Sequence, residues 1–112
     1  MIKGVFSGTS LELKGHAGSA PYGQDLVCAG VSTLVYALAQ RLTELDRQGA
    51  LELPPKLRLE PGDAVISATA KKEFEPEVQG DFCLIFSGLK LLEKNYPEMV
   101  KVEGGYKISQ TY

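Results

Sequence analysis

A chain of 112 residues with 44% hydrophobic content is long enough to bury one core and too short to divide, so a single domain that folds without staples is expected. Its 12 basic and 14 acidic residues give a formal net charge of −2, with no run of five like charges, which argues against nucleic acid as a direct ligand. No segment reads as the roughly 20 apolar residues of a membrane span, and Lys3, Ser7, Thr9, Ser10 and Glu12 interrupt the N-terminal stretch, so the chain is expected to be cytoplasmic with no membrane partner.

Ile2 to Phe6 and Leu11 to Leu13 carry apolar, β-branched and aromatic residues on either side of Ser7-Gly8-Thr9-Ser10, a pattern that predicts a β-hairpin. Gly15 to Gly23 contains Gly15, Gly18, Gly23 and Pro21 and reads as a mobile loop. From Asp25 the period changes: Val27, Val31, Leu34, Val35, Leu38, Leu42 and Leu45 recur at steps of three and four, predicting a helix with Asp25 as its N-cap and Gly49 beyond its end. Ala29, Gly30 and Ala37 are small enough to let this helix lie close against a neighbour, most simply a sheet.

Asp46 to Lys56, with Gly49, Pro54 and Pro55, reads as a connection. Leu57 to Glu60 and Ala64 to Thr69 flank Pro61-Gly62, the pair expected at the centre of a type II turn, and so form a second hairpin. Val78, Phe82, Ile85, Phe86, Leu89 and Leu92 mark a second helix that should end by Asn95-Tyr96-Pro97, and Met99 to Val102 offers a last strand before a polar tail at Gly104-Gly105 that is assigned to no element. Hairpins alternating with helices in the order ββαββαβ predict an α+β domain, a mixed or antiparallel sheet packed with two helices.

Cys28 would then sit in the first turn of the first helix, where unpaired N–H groups and the positive end of the helix dipole favour an anionic sulfur, the form a cysteine nucleophile requires. His16, the only histidine, ends the second strand. Strand ends and helix starts often meet at one rim of a sheet, so the loop between them can bring imidazole to sulfur. That pair suits peptide cleavage: the imidazole holds the thiolate and later protonates the leaving amine, while N–H groups at the helix start donate to the oxyanion.

The same residues allow plainer roles. Periodicity alone favours Cys28 as an inert small hydrophobe, His16 as a solvated or capping side chain, and Asp25 as a simple N-cap. Ser32, one turn beyond Cys28, reads as a hydroxyl bonded back to its own helix, and Cys83, between Phe82 and Leu84, reads as core. Two cysteines make no disulfide framework, and with one histidine and neither CxxC nor HExxH spacing they offer no evident metal site. Neither GK[ST] nor GxGxxG is present, so no nucleotide is expected, and no metal or organic cofactor.

Gly15-His16-Ala17, followed by Gly23-x-Asp25-Leu26-Val27-Cys28-Ala29-Gly30-Val31-Ser32 at matching spacing, resembles the signature of the ribosomal-processing cysteine proteases, the Prp family. The likeness continues through the hairpin order to Gly88-Leu89 and Tyr96-Pro97 and so spans nearly the whole chain, with its specificity concentrated in residues 15–32. Leu26, where isoleucine is commoner, and Gly30, in a small-residue position, depart from the pattern without removing a functional group. The resemblance implies His16 and Cys28 as a catalytic dyad with Asp25 and Ser32 in support. Gly15, Gly18 and Gly23 would belong to a loop that admits an extended peptide and closes over it. It further implies a substrate, large-subunit ribosomal protein number twenty-seven, which loses a short N-terminal extension, and a homodimeric enzyme. The competing readings are a noncatalytic ribosome-associated or peptide-binding module with a structural Cys28, and a thiol enzyme of other chemistry such as acyl transfer.

Overall fold

The computed structural model describes residues 1–16 and 24–105, and only the backbone of Gln24, Asp25 and Gly105. Alternation sorts the first hairpin into an inner and an outer row. β1 (Ile2–Ser7) buries Ile2 and Phe6 and exposes Lys3, Val5 and Ser7, while β2 (Ser10–Lys14) buries Leu11 and Leu13 and exposes Glu12 and Lys14. The two run antiparallel with Phe6 opposite Leu11, as predicted. The second hairpin joins β3 (Lys56–Glu60) to β4 (Asp63–Ser67) with Glu60 opposite Asp63, and Gly62 takes the φ of +74° that the third position of a type II turn demands.

The hairpins meet through β2 and β4, which are antiparallel with Leu11 opposite Ile66 and Lys14 opposite Asp63. The last strand, β5 (Val100–Gly105), lies parallel to β1 with Ile2 opposite Val100, a pairing made possible by the helix that carries the chain back across the sheet. The five-stranded sheet is therefore mixed, in the order β3-β4-β2-β1-β5, and the α+β expectation holds. β5 takes in Gly104 and Gly105, which sequence left unassigned; residues 106–112 lie outside the described part.

Both helices cover the same face of the sheet. α1 (Gln24–Arg47) buries Val27, Val31, Val35, Leu38, Leu42 and Leu45, and α2 (Glu75–Asn95), entered through a 3₁₀ turn at Lys72–Phe74, buries Val78, Phe82, Ile85 and Leu89. Phe86 of α2 meets Phe6 of β1 edge to face, with ring centroids 5.1 Å apart. Lys3, Glu12, Lys14 and Arg58 sit on the uncovered face.

Three expectations need correction. Of the small residues of α1, Gly30 serves a helix contact and not the sheet, since a Cβ there would stand 3.3 Å from Leu92 Cδ1, and Ala29 and Ala37 are exposed; in return, a Cβ on Gly88 of α2 would stand 2.9 Å from Leu34 Cδ1. One segment, Leu26–Arg47, is after all long and apolar enough to cross a membrane by length and composition. In this fold its regularly spaced valines and leucines face the sheet and α2. Finally, α1 already includes Gln24, so Asp25 is its second residue and not the residue ahead of it; the capping bond expected of the Asp25 side chain lies outside the described part.

Candidate active site

The pairing of Lys14 with Asp63 makes the chain after β2 run beside the β3–β4 turn. Gly15 donates its N–H to the Gly62 carbonyl at 2.9 Å. Its φ of +102°, and the Met1 carbonyl oxygen standing where a Cβ would go, leave room for glycine alone. Gly15, read from sequence as part of a mobile loop, is thus pinned to the neighbouring turn. Gly18 and Gly23 lie outside the described residues, as does residue 17–23 closure over a substrate.

Anchored this way, His16 emerges over the turn. Its Nε2 and Cε1 are 2.6 and 2.8 Å from the point a Cβ on Gly62 would occupy, so the imidazole rests on the bare face of that glycine. The ring is otherwise exposed.

Cys28 approaches from the helix. As the fifth residue of α1 it lies one step beyond the first turn expected for it, but side chains lean toward a helix N-terminus, which directs its thiol back toward the first turn, where backbone N–H groups have no partner within the helix. Cys28 is half-buried and packs against the core. Ser32 follows one turn later, exposed, and forms no side-chain hydrogen bond to another described residue; the back-bonded hydroxyl belongs to its neighbour Thr33, which donates to the Ala29 carbonyl at 2.7 Å. The second thiol is different: burial pushes the pKa of Cys83 up, away from the thiolate form.

A cavity of about 320 Å³ opens between α1 and the β3–β4 turn, and Gly15, His16, Cys28 and Ser32 all line it. Four residues chosen from sequence thus converge on one space, although no hydrogen bond joins His16 to Cys28 in this state. Sequence reasoning missed the rest of the wall. Tyr36, 58% exposed, continues the stripe of Cys28 and Ser32 at a further step of four, a spacing that was visible in the sequence. Leu59, Glu60 and Asp63 enter only because β4 pairs with β2, which no local pattern announces. Asp63 is held by Arg58 Nη2 at 3.1 Å. Among the described residues no group of three or more His, Cys, Asp or Glu is placed to hold a metal ion.

Comparison with known proteins gives this geometry a family. The sequence model of the family described as cysteine protease Prp matches residues 1–101. The ribosomal processing cysteine protease Prp of Bacillus subtilis is 28% identical over 104 residues, covering 89% of this chain and 86% of that protein. Among solved structures, a Streptococcus mutans protein is similar at 31% identity over 92% of each chain, with a TM-score of 0.65. The essential ribosomal processing protease Prp of S. aureus, solved with a covalently linked product peptide, shares the fold with a TM-score of 0.66 at 20% identity, over 91% of this chain and 95% of that one.

Proposed function

Since the chain belongs to the Prp cysteine protease family, we propose that it is an endopeptidase whose nucleophile is Cys28 and whose acid-base group is His16. The observation that carries this reading is the convergence of both side chains, from separate elements, on one open cavity. The thiolate attacks the scissile carbonyl, N–H groups at the start of α1 donate to the oxyanion, and His16 gives its proton to the departing amine as the C–N bond breaks. Water, deprotonated by the imidazole, then hydrolyses the thioester and frees the sulfur. That no hydrogen bond joins the two side chains does not count against the dyad, because catalytic hydrogen bonds often tighten only in the substrate complex. Asp25 and Ser32 are read as supporting groups, Ser32 through its exposed hydroxyl one helical turn from Cys28.

The proposed substrate is large-subunit ribosomal protein number twenty-seven carrying an N-terminal extension, which the enzyme removes in the cytoplasm. The names of the relatives support ribosomal processing; the substrate itself follows from the signature at residues 15–32. A homodimer is proposed on the same family grounds, with Leu84 and Leu91, 69% and 60% exposed on one face of α2, as apolar surface available for contact.

The test is cleavage of a peptide spanning the extension and the first mature residues. Wild-type protein should cut it once; Cys28→Ala and His16→Ala should lose activity by about 10³-fold or more. Iodoacetamide near neutral pH should modify Cys28 well ahead of Cys83, whose thiol stays protonated to a higher pH than usual because burial disfavours its anion. Cleavage that survives in Cys28→Ala would end the assignment.

A further inference from the structure

β3 is an edge strand: β4 pairs with one side of it, and among the described residues no strand pairs with the other. The hairpin register tells which of its backbone groups are unused. In an antiparallel pair closed by a two-residue turn, the residues flanking the turn exchange both hydrogen bonds and every second pair thereafter does the same. Glu60 with Asp63, Arg58 with Val65 and Lys56 with Ser67 are therefore the bonded pairs. Leu57 and Leu59 direct their N–H and C=O groups away from the sheet, toward the free edge.

Those two residues also carry their side chains on the helix-covered face of the sheet, opposite the buried Ile66 and Ala64. Leu59 lines the cavity and is only partly buried, and Leu57 is 37% exposed. Across the cavity stand Ser32 and Tyr36 of α1, with Cys28 one turn before Ser32. The space has Leu59 and Glu60, the turn end of the unpaired strand, on one side, α1 along the other, and the candidate nucleophile and base in its lining; Leu57 lies further along the same edge, outside the cavity. Lys56 and Arg58 point to the opposite face of the sheet and leave the space clear.

We propose that the free edge of β3 receives the peptide substrate as an added strand, the N–H and C=O groups of Leu57 and Leu59 bonding to its backbone and delivering the scissile bond to Cys28. The inference rests on the protease reading above and names how that site takes its substrate. An extended chain is the occupant that fits, because it alone presents backbone donors and acceptors at the spacing of a strand edge; Leu57 to Glu60 is long enough to hold about four substrate residues. Such docking fixes backbone register at the site and leaves side-chain selection to the residues that dip alternately between Leu59 and Tyr36.

The experiment uses the full chain as Cys28→Ala, which binds without cutting, and the same extension-spanning peptide. Residue-resolved hydrogen exchange should show the Leu57 and Leu59 amides, open in the free protein, slowed about tenfold or more at saturation, while those of Arg58 and Glu60 change little. In parallel, wild-type turnover of peptides with single backbone N–H groups replaced by ester oxygen should show KM raised about fivefold at alternate residues, with kcat unchanged. A peptide that is cut and bound with no added protection at Leu57 and Leu59 overturns the strand pairing and leaves the protease reading standing. Protection that rises with protein concentration in the absence of peptide would assign the edge to a second copy and also overturn it. A peptide neither bound nor cut by the wild type removes the proposed substrate, and the inference with it.

Discussion

At the scale of single residues, Gly62 does two things at once. Its φ of +74° closes the β3–β4 turn, and its missing side chain leaves the place where the His16 imidazole rests. A methyl group there strains the backbone and displaces the ring, which is exposed and free to move aside, so displacing it costs the structure little, and under the proposed role of His16 it costs catalysis more. Gly8 separates the two effects: it has a φ of +58° but nothing within 4 Å of the Cβ position. Gly62→Ala and Gly8→Ala should each lose about 1–2 kcal/mol of stability in urea unfolding from the left-handed backbone. Only Gly62→Ala should lose kcat, by about 10- to 100-fold with KM little changed, because a base moved by an ångström or so is poorly placed for proton transfer. Equal turnover in the two variants would mean that His16 does not act from its seat on Gly62. Nothing in the sequence tied residue 62 to residue 16, although the Pro-Gly turn and the histidine were each legible alone.

At the scale of elements, the cavity-facing side of α1 is set by how α1 meets α2. The seam is reciprocal: Leu92 of α2 packs over Gly30 of α1, and Leu34 of α1 packs over Gly88 of α2. Arg41 ties the helices further, bonding Asp81 at 3.0 Å and Glu77 at 2.8 Å, a partly exposed pair whose worth is modest. The 3.6-residue period disclosed both helices and their buried faces, and it marked Gly30 as small, because these are properties of one helix at a time. It did not disclose which neighbour the glycine admits, since that depends on the order in which elements stack. Two glycines of α2 turn this into a measurement. Gly88→Ala would place its Cβ 2.9 Å from Leu34 Cδ1, so overpacking of about 1–3 kcal/mol should exceed the roughly 1 kcal/mol gained in helix propensity. Gly80, exposed with nothing within 4 Å of its Cβ position, gains that propensity without a clash, and Gly80→Ala should stabilise the protein by about 0.5–1 kcal/mol. Shifts of the same sign in the two variants would show that Leu34 gives way to the added methyl and that the seam there is not tightly packed.

At the scale of the whole molecule, local grammar wrote both hairpins and both helices into the sequence, and the long-range pairings had to be seen. The antiparallel contact of β2 with β4 brings Lys14 opposite Asp63, and from that single register follow the anchoring of Gly15, the seat of His16 and the cavity facing Cys28. Either hairpin can satisfy its own alternation without specifying its neighbour, so the proposed dyad was readable as a pair of residues and not as a place. What alternation does specify is which side of the sheet the helices cover, and this has a direct consequence. Ile66, fully buried on β4, and Val5, 52% exposed on β1, are both β-branched residues in paired strands and differ chiefly in the face they occupy. Ile66→Ala removes packing atoms and opens a cavity against the helices, a loss of about 2–5 kcal/mol. Val5→Lys keeps the strand and adds a charge where water already reaches, so its unfolding free energy should stay within about 0.5 kcal/mol of wild type. If Val5→Lys were as costly as Ile66→Ala, the outer face would have to be covered in solution, and a sheet with helices on one side only would no longer describe the protein.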